Sequence, residues 1–181
     1  MKKLNKCVFL DRDGVINEDR GYINNINNFK ILPKTIEAIN LLNIKKYLVI
    51  LITNQAGVGR GLIKLNELKK IHSYLKKKLN EGEAYIDDIF FCPFHPEYGL
   101  GKYKKKSQDR KPGSGMIKKA ARKWNIDLNS SFMIGDKKSD FLCAKGVGLK
   151  FYYKSKKMNL FNQLNKILAK KPILINKSIK N

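Results

Sequence analysis

Apolar residues along this chain follow two alternating patterns. Short, strand-like apolar runs occur at Lys6–Leu10, Tyr47–Thr53, Ile86–Phe91, Phe132–Gly135 and Lys150–Tyr153, and Cys7 to Leu10 is uninterrupted, as expected of a strand buried on both faces. Between them, apolar positions step at helical spacing. Pro33 precedes a helix predicted over Thr35–Lys45, with Ile36, Ile39 and Leu41/Leu42 on one side. Leu65, Leu68, Ile71, Leu75 and Leu79 form a stripe along Lys64–Asn80, opposite a lysine-rich outer face. Shorter helices are expected at Ser114–Trp124 and Asp140–Lys145, the latter ended by Gly146. Leu160, Phe161, Leu164, Ile167 and Leu168 predict a last amphipathic helix that packs on the core. Strands alternating with helices predict an α/β fold, a Rossmann-like parallel sheet flanked by helices in three layers. No internal repeat or interdomain linker is visible, so residues 1–181 are expected to form a single domain. Two stretches fit neither pattern: a surface loop around Asn24–Asn28, and Glu97–Asp109, whose length marks it as functional or flexible.

Composition narrows the classes. A hydrophobic content of 43% argues against disorder, and no apolar run approaches the roughly 20 residues of a membrane span. The basic start is followed only by Cys7 to Leu10 before charges resume, too short for the apolar region of a signal peptide. A cytoplasmic protein is expected. Cys7, Cys92 and Cys143 are scattered and odd in number, which does not indicate a disulfide framework. The formal charge of +23 raises nucleic acid as a partner, but the lysines are spread along the chain. What the charge establishes is a field that favours anions, phosphorylated small molecules included.

The candidate chemistry sits at predicted strand ends. Asp11 and Asp13 follow the first strand and, in extended chain, point the same way. The carboxyl end of a buried strand is where open α/β sheets bind ligands. Two like charges so close are costly unless a cation or a shared proton relieves them. Gly14 lets the chain turn sharply away. Thr53-Asn54-Gln55 ends the second strand and leads into Ala56-Gly57-Val58-Gly59-Arg60-Gly61, a hydroxyl, amides and glycine-rich backbone suited to oxyanions. Arg110-Lys111-Pro112 follows the long loop. Asp136 lies at the end of the fourth strand, and Asp140 opens the next helix, where a carboxylate cap is favourable.

Together these pieces resemble the four motifs of the haloacid dehalogenase superfamily of phosphatases: Asp-x-Asp-Gly, a strand-end Thr, a Lys, and Gly-Asp-x-x-x-Asp. The likeness is closer still to the D-glycero-D-manno-heptose 1,7-bisphosphate 7-phosphatases and the related histidinol phosphatases. Its residues are Phe9 to Asn17, Gly21-Tyr22, Thr53 to Gly61, Cys92-Pro93-Phe94-His95-Pro96-Glu97, Arg110-Lys111-Pro112 and Gly135-Asp136-Lys137. The resemblance implies a haloacid dehalogenase type fold with minimal cap loops. It makes Asp11 the nucleophile that forms an aspartyl-phosphate and Asp13 the general acid and base. Thr53 and Lys111 would hold the phosphoryl oxygens. Mg²⁺ is the implied metal, on the Asp11 and Asp136 side chains and the Asp13 carbonyl. Asp19, Arg20, Gly21, Tyr22, Asn54, Gln55, Ala56, Arg60, Arg110 and Lys137 would contact substrate. The implied reaction is removal of the 7-phosphate from heptose 1,7-bisphosphate, feeding nucleotide-activated heptose into surface polysaccharide. A chain this small with a closed catalytic set is expected to act as a monomer.

One departure stands out. Many relatives of this kind carry a structural zinc on Cys-x-His and a later Cys-x-Cys. Here Cys92 keeps the first position, but Phe94, Ser107 and Asp109 replace the other ligands, and His95 is out of register. A tetrahedral site needs four suitable donors, so no structural zinc is expected, and packing of Phe94, Tyr98 and Tyr103 would hold the loop. The competing readings are a histidinol-phosphate or other sugar phosphatase, a polynucleotide 3′-phosphatase, and a basic nucleic-acid-binding module on an inactive phosphatase fold. No recognisable nucleic-acid module supports the last two.

Overall fold

The computed structural model describes residues 4–169. Any question about Lys171–Asn181 therefore lies outside the described residues. Five parallel strands form one sheet: β1 (Cys7–Leu10), β2 (Leu48–Asn54), β3 (Asp88–Cys92), β4 (Phe132–Gly135) and β5 (Lys150–Tyr153). Their order is β3-β2-β1-β4-β5. The chain first builds outward from β1 through β2 to β3, then crosses to the other side of β1. The β1/β4 junction is thus a topological switch point, and the crevice at its carboxyl end is the ligand position of such sheets.

The helices are α1 (Thr35–Ile44), α2 (Ala56–Gly59), α3 (Leu65–Glu81), α4 (Gly115–Trp124), α5 (Lys138–Lys145) and α6 (Leu160–Ala169). The period-2 alternation of β1 divides the core. Val8 and Leu10 point to the side where α1, α3 and α6 contribute Ile39, Leu42, Ile71, Leu75, Leu164 and Ile167. Cys7 and Phe9 point to the other, where α4 and α5 contribute Met116, Ile117, Ala120, Cys143 and Ala144. Both faces of the central strand are therefore dry, which is why β1 reads as an unbroken apolar run, whereas the edge strands β3 and β5 stay partly exposed. This is the three-layer α/β architecture expected from the alternation of patterns.

The differences are local. Helix α2 was not expected; its Ala-Gly-Val-Gly sequence carries no apolar stripe, and it forms because the backbone packs so closely. Gly57 stands against Tyr22 and Ile63, and Gly59 against the Pro93 carbonyl. The loop around Asn24–Asn28 contains a 3₁₀ turn at Ile26–Asn28, capped by the Asn25 side chain. A second 3₁₀ turn, Gly101–Tyr103, lies inside the long loop. Helix α5 begins at Lys138, two residues before the expected start. Gly146 ends it with right-handed backbone, and the left-handed residue is Gly148, at φ 67°.

Candidate active site

The crevice at the switch point is built from five short segments. Asp11 follows β1, and its N–H donates to the Ile134 carbonyl of β4 at 3.0 Å, tying the two strand ends together. Gly14 then turns the chain with φ 85°. A Cβ at that position would overlap the Asp136 carboxylate, so the glycine is what lets Asp136 lie against the Asp11–Gly14 turn. Gly14→Ala is expected to cost about 1–3 kcal/mol, from left-handed strain plus displacement of Asp136. A lowered melting temperature and weaker Mg²⁺ binding by calorimetric titration would show it.

Lys111 reaches the bottom of the crevice. Its Nζ lies 2.8 Å from Asp11 Oδ1 and 2.6 Å from Asp140 Oδ1, and donates to the Ile52 carbonyl at 2.9 Å. All three side chains are buried. Burial alone would lower the lysine's pKa, but Asp11 and Asp140 outweigh it and hold the ammonium above its ordinary range. Burial pushes the Asp11 carboxyl up to about 6, with Lys111 pulling it back and Asp140 and Asp13 adding to the rise. Asp140 meanwhile accepts from the Lys137 N–H through Oδ2, satisfying a backbone donor at the start of α5. Asp140 was expected only as a helix cap. Its place beside Lys111 was available in the four-residue spacing from Asp136, which puts a helix start over the strand end.

Asp13 is held by four donor groups: Arg12 Nε and Nη2, Asn17 Nδ2 and Gln55 Nε2, at 2.9–3.2 Å. Gln55 also donates to Thr53 Oγ1. Asn54 exchanges two hydrogen bonds with the backbone of Lys111, both at 3.0 Å. Its side chain therefore positions the lysine loop. Sequence reasoning passed over Arg12 and His72. Among the described residues Arg12 is the largest fully buried side chain, and its Nη1 lies 3.3 Å from His72 Nε2. The signal for His72 was a polar residue on the apolar stripe of α3, four positions after Leu68.

Two cavities meet here. One, of about 260 Å³, is lined by Asp11, Asp13, Thr53, Asn54, Arg110, Lys111, Lys137 and Ser139. The second, of about 380 Å³, adds Asp19, Gly21, Tyr22, Gln55, Ala56 and Gly57, and shares Asp13, Asn54, Arg110 and Lys137. Lys137 donates to Asp19 across the second cavity at 2.8 Å. That bond, foremost, lowers the Asp19 pKa. Ser139 was not anticipated. Arg20 and Arg60 line neither cavity. Arg20 pairs with Glu18 on the surface, whereas Arg60 stands between the Tyr22 and Tyr98 rings and donates to the Tyr22 hydroxyl.

Asp11, Asp136 and Asp140 bring carboxylate oxygens within 4.8 Å of one another. Asp136 Oδ1 is buried with no hydrogen-bond partner, and burial, more than the opposing Lys137 charge, raises its pKa. A buried carboxylate oxygen left unpaired among two others fits a hard divalent cation. The zinc positions do not fit a tetrahedral metal. Phe94 packs on Tyr103 with ring centroids 6.0 Å apart, Asp109 pairs with Lys119, and the Ser107 hydroxyl accepts from the Asp109 N–H. His95 Nδ1 accepts from the Glu97 and Tyr98 N–H groups.

His72 carries a pH signature of its own. Burial, then the Arg12 charge, pushes its pKa down to about 3. The folded value lies below the unfolded value of about 6.5, so stability from neutral His72 is full above that pH and falls as the imidazole is forced to charge. Between about pH 7 and pH 5 the wild type is expected to lose about 2 kcal/mol that His72→Gln retains. Urea titrations at the two pH values measure the difference, and parallel slopes would contradict it.

Known proteins resemble this chain in sequence and fold. The HAD-hydrolase-like family model matches residues 108–153. A D-glycero-alpha-D-manno-heptose-1,7-bisphosphate 7-phosphatase of Burkholderia mallei is 41% identical over 145 residues, covering 80% of this chain and 77% of that protein. The D-glycero-beta-D-manno-heptose-1,7-bisphosphate 7-phosphatase of Pasteurella multocida is 39% identical over 147 residues, 81% of this chain and 79% of its own. Among solved structures, the D,D-heptose 1,7-bisphosphate phosphatase of B. bronchiseptica, complexed with magnesium and phosphate, superposes with a TM-score of 0.80. It is 26% identical and covers 92% of this chain and 99% of its own. With the motifs, the sheet order and this degree of identity in agreement, the chain belongs to the heptose 1,7-bisphosphate 7-phosphatase family of the haloacid dehalogenase phosphatases.

Proposed function

We propose that this protein is a Mg²⁺-dependent phosphatase that removes the 7-phosphate of D-glycero-D-manno-heptose 1,7-bisphosphate. The observation that carries the reading is the joining of the two cavities. A small chamber lined by Asp11, Asp13, Thr53 and Lys111 opens, past Arg110 and Lys137, into a larger polar one. The first suits a phosphoryl group, the second a sugar bearing another anionic group.

In this mechanism a carboxylate oxygen of Asp11 attacks phosphorus in line, and the bond from phosphorus to the sugar O7 breaks. Asp13 gives its proton to that oxygen. Water, losing a proton to Asp13, then attacks the aspartyl-phosphate, releasing inorganic phosphate and restoring Asp11. Lys111 and the Thr53 hydroxyl stabilise the phosphoryl oxygens as charge shifts between them. Arg110 offers a planar fork to the second phosphate or to sugar hydroxyls. The side chains of Asp11 and Asp136 and the Asp13 carbonyl would hold Mg²⁺, which screens the repulsion between anionic nucleophile and anionic phosphate. Asp140, also in the acidic cluster, serves as the counter-ion of Lys111. Tyr22, Gly21, Asp19, Gln55 and Ala56 bound the sugar chamber, and the Lys137–Asp19 bridge opens when the substrate's second anion takes the lysine. The domain spans the chain, acts as a cytoplasmic monomer without a structural zinc, and supplies nucleotide-activated heptose for surface polysaccharide.

The test is phosphate release with Mg²⁺ from both anomers of heptose 1,7-bisphosphate, fructose 1,6-bisphosphate, histidinol phosphate and a 3′-phosphorylated oligonucleotide. The expected result is a kcat/KM for one heptose anomer at least about 100-fold above the rest, roughly 2.7 kcal/mol of transition-state discrimination. Uniformly slow turnover would sink the heptose assignment.

A further inference from the structure

Asp13 is fixed by a side chain that is itself fixed. Arg12 grips the Asp13 carboxylate with a fork: Nε and Nη2 donate to Oδ1 at 3.2 and 2.9 Å, and Nη2 to Oδ2 at 3.0 Å. The guanidinium is 1% exposed and lies 5.8 Å from the Phe29 ring centroid. Its remaining arm, Nη1, faces His72 Nε2 at 3.3 Å. A guanidinium can only donate, so Nε2 must accept, and the ring must be neutral with its proton on Nδ1. The surroundings agree: the charged groups acting on His72 are Arg12, Asp13 and Lys76, and burial together with Arg12 disfavours a second cation. The His72 ring, carried by α3, is set edge-on against Phe91 of β3, centroids 5.9 Å apart.

We propose that His72 is a positioning residue for the phosphatase reaction: by accepting from Arg12 Nη1 it locks the guanidinium fork that aims the Asp13 carboxylate. This rests on the reading of Asp13 as the proton-transfer group. Without the imidazole acceptor, Nη1 becomes a buried donor with nothing to donate to. The guanidinium gains by swinging toward another oxygen, and the fork on Asp13 loosens. A small misalignment of the proton donor lowers the rate of the chemical step while leaving the phosphate and sugar contacts intact. His72 thus acts through Arg12 and touches no substrate.

The variants that separate this from simple packing are His72→Leu, which fills the space without an acceptor, and His72→Gln, whose amide oxygen can accept from Nη1. With Mg²⁺ and the preferred substrate, His72→Leu is expected to lower kcat about 10- to 100-fold with KM changed less than about twofold. His72→Gln should recover most of that loss although it, too, changes the core. Nitrogen NMR of the wild type reads the same arrangement without turnover: the imidazole should be the Nδ1-protonated tautomer, and the Arg12 guanidinium protons should exchange slowly. A His72→Leu enzyme with wild-type kcat, equal impairment of the Leu and Gln variants, or a proton on Nε2 would each overturn the proposal. If His72→Leu does not fold, His72→Gln and the wild-type tautomer still decide. An inert wild type toward every substrate would instead sink the proposed reaction, because the NMR reads the clamp by itself.

Discussion

Asp11→Asn abolishes turnover and leaves the protein at least as stable as the wild type. The amide keeps an Oδ1 that can accept from the Arg12 N–H, at 2.7 Å in the native chain, and from Lys111. It cannot form the aspartyl-phosphate. Loss of the nucleophile is expected to cost on the order of 10⁵-fold in kcat or more, about 7 kcal/mol of barrier. Stability follows different terms. Burial disfavours the charged form of Asp11, which is why its carboxyl titrates near 6. A neutral side chain avoids that cost, and Lys111 keeps Asp140 as counter-ion. Steady-state assays with Mg²⁺, paired with thermal melts in chelator, measure the two effects separately. Retained turnover would overturn the nucleophile assignment; a lowered melting temperature would show that the Asp11 charge is structural.

Lys111→Met has the opposite profile: both function and fold suffer. One ammonium serves Asp11, Asp140 and the Ile52 carbonyl at once. Methionine fills the space but leaves two buried carboxylates facing one another with no cation. Breaking a buried ion pair from one side typically costs about 3–5 kcal/mol. At about 2–4 °C per kcal/mol for a chain of this size, the melting temperature should fall by roughly 6–20 °C. Lys111→Arg does not rescue it, because a planar fork cannot place one donor nitrogen among three acceptors as the small ammonium does. The double variant Lys111→Met/Asp140→Asn should recover part of the stability by removing one stranded charge, while phosphate release stays abolished. If Lys111→Met melts with the wild type, the buried triad contributes nothing to the fold.

The two variants also show how the site is coupled to the scaffold. Asp140 is at once a capping residue of α5 and the partner of Lys111. Asn54 is a strand-end residue whose amide grips the lysine loop. Substitution at either position acts on helix or loop placement first and on chemistry through it. That is why strand-end motifs read as turns when considered singly and as a reaction centre when brought together.

Much of this protein was legible in its sequence. The apolar runs of β1, β2 and β4 and the stripe along α3 predict strands and a helix because burial on both sheet faces, or on one helix face, leaves its own apolar pattern. Asp11, Asp13, Thr53, Lys111 and Asp136, which the structure gathers around one crevice, stood out because carboxylates, a hydroxyl and an ammonium follow the order of the phosphatase motifs. Helix α2, the Ser139 lining and the retreat of Arg20 and Arg60 from the cavities were not. They depend on how loops from distant parts of the chain meet, and no periodicity records that. The buried pairing of Arg12 with His72 joins residues 60 positions apart. A charged residue between two aspartates and a histidine on a helix each have ordinary solvated readings. Only tertiary packing, which removes water from both and leaves one donor facing one acceptor, decides that they belong to the same device.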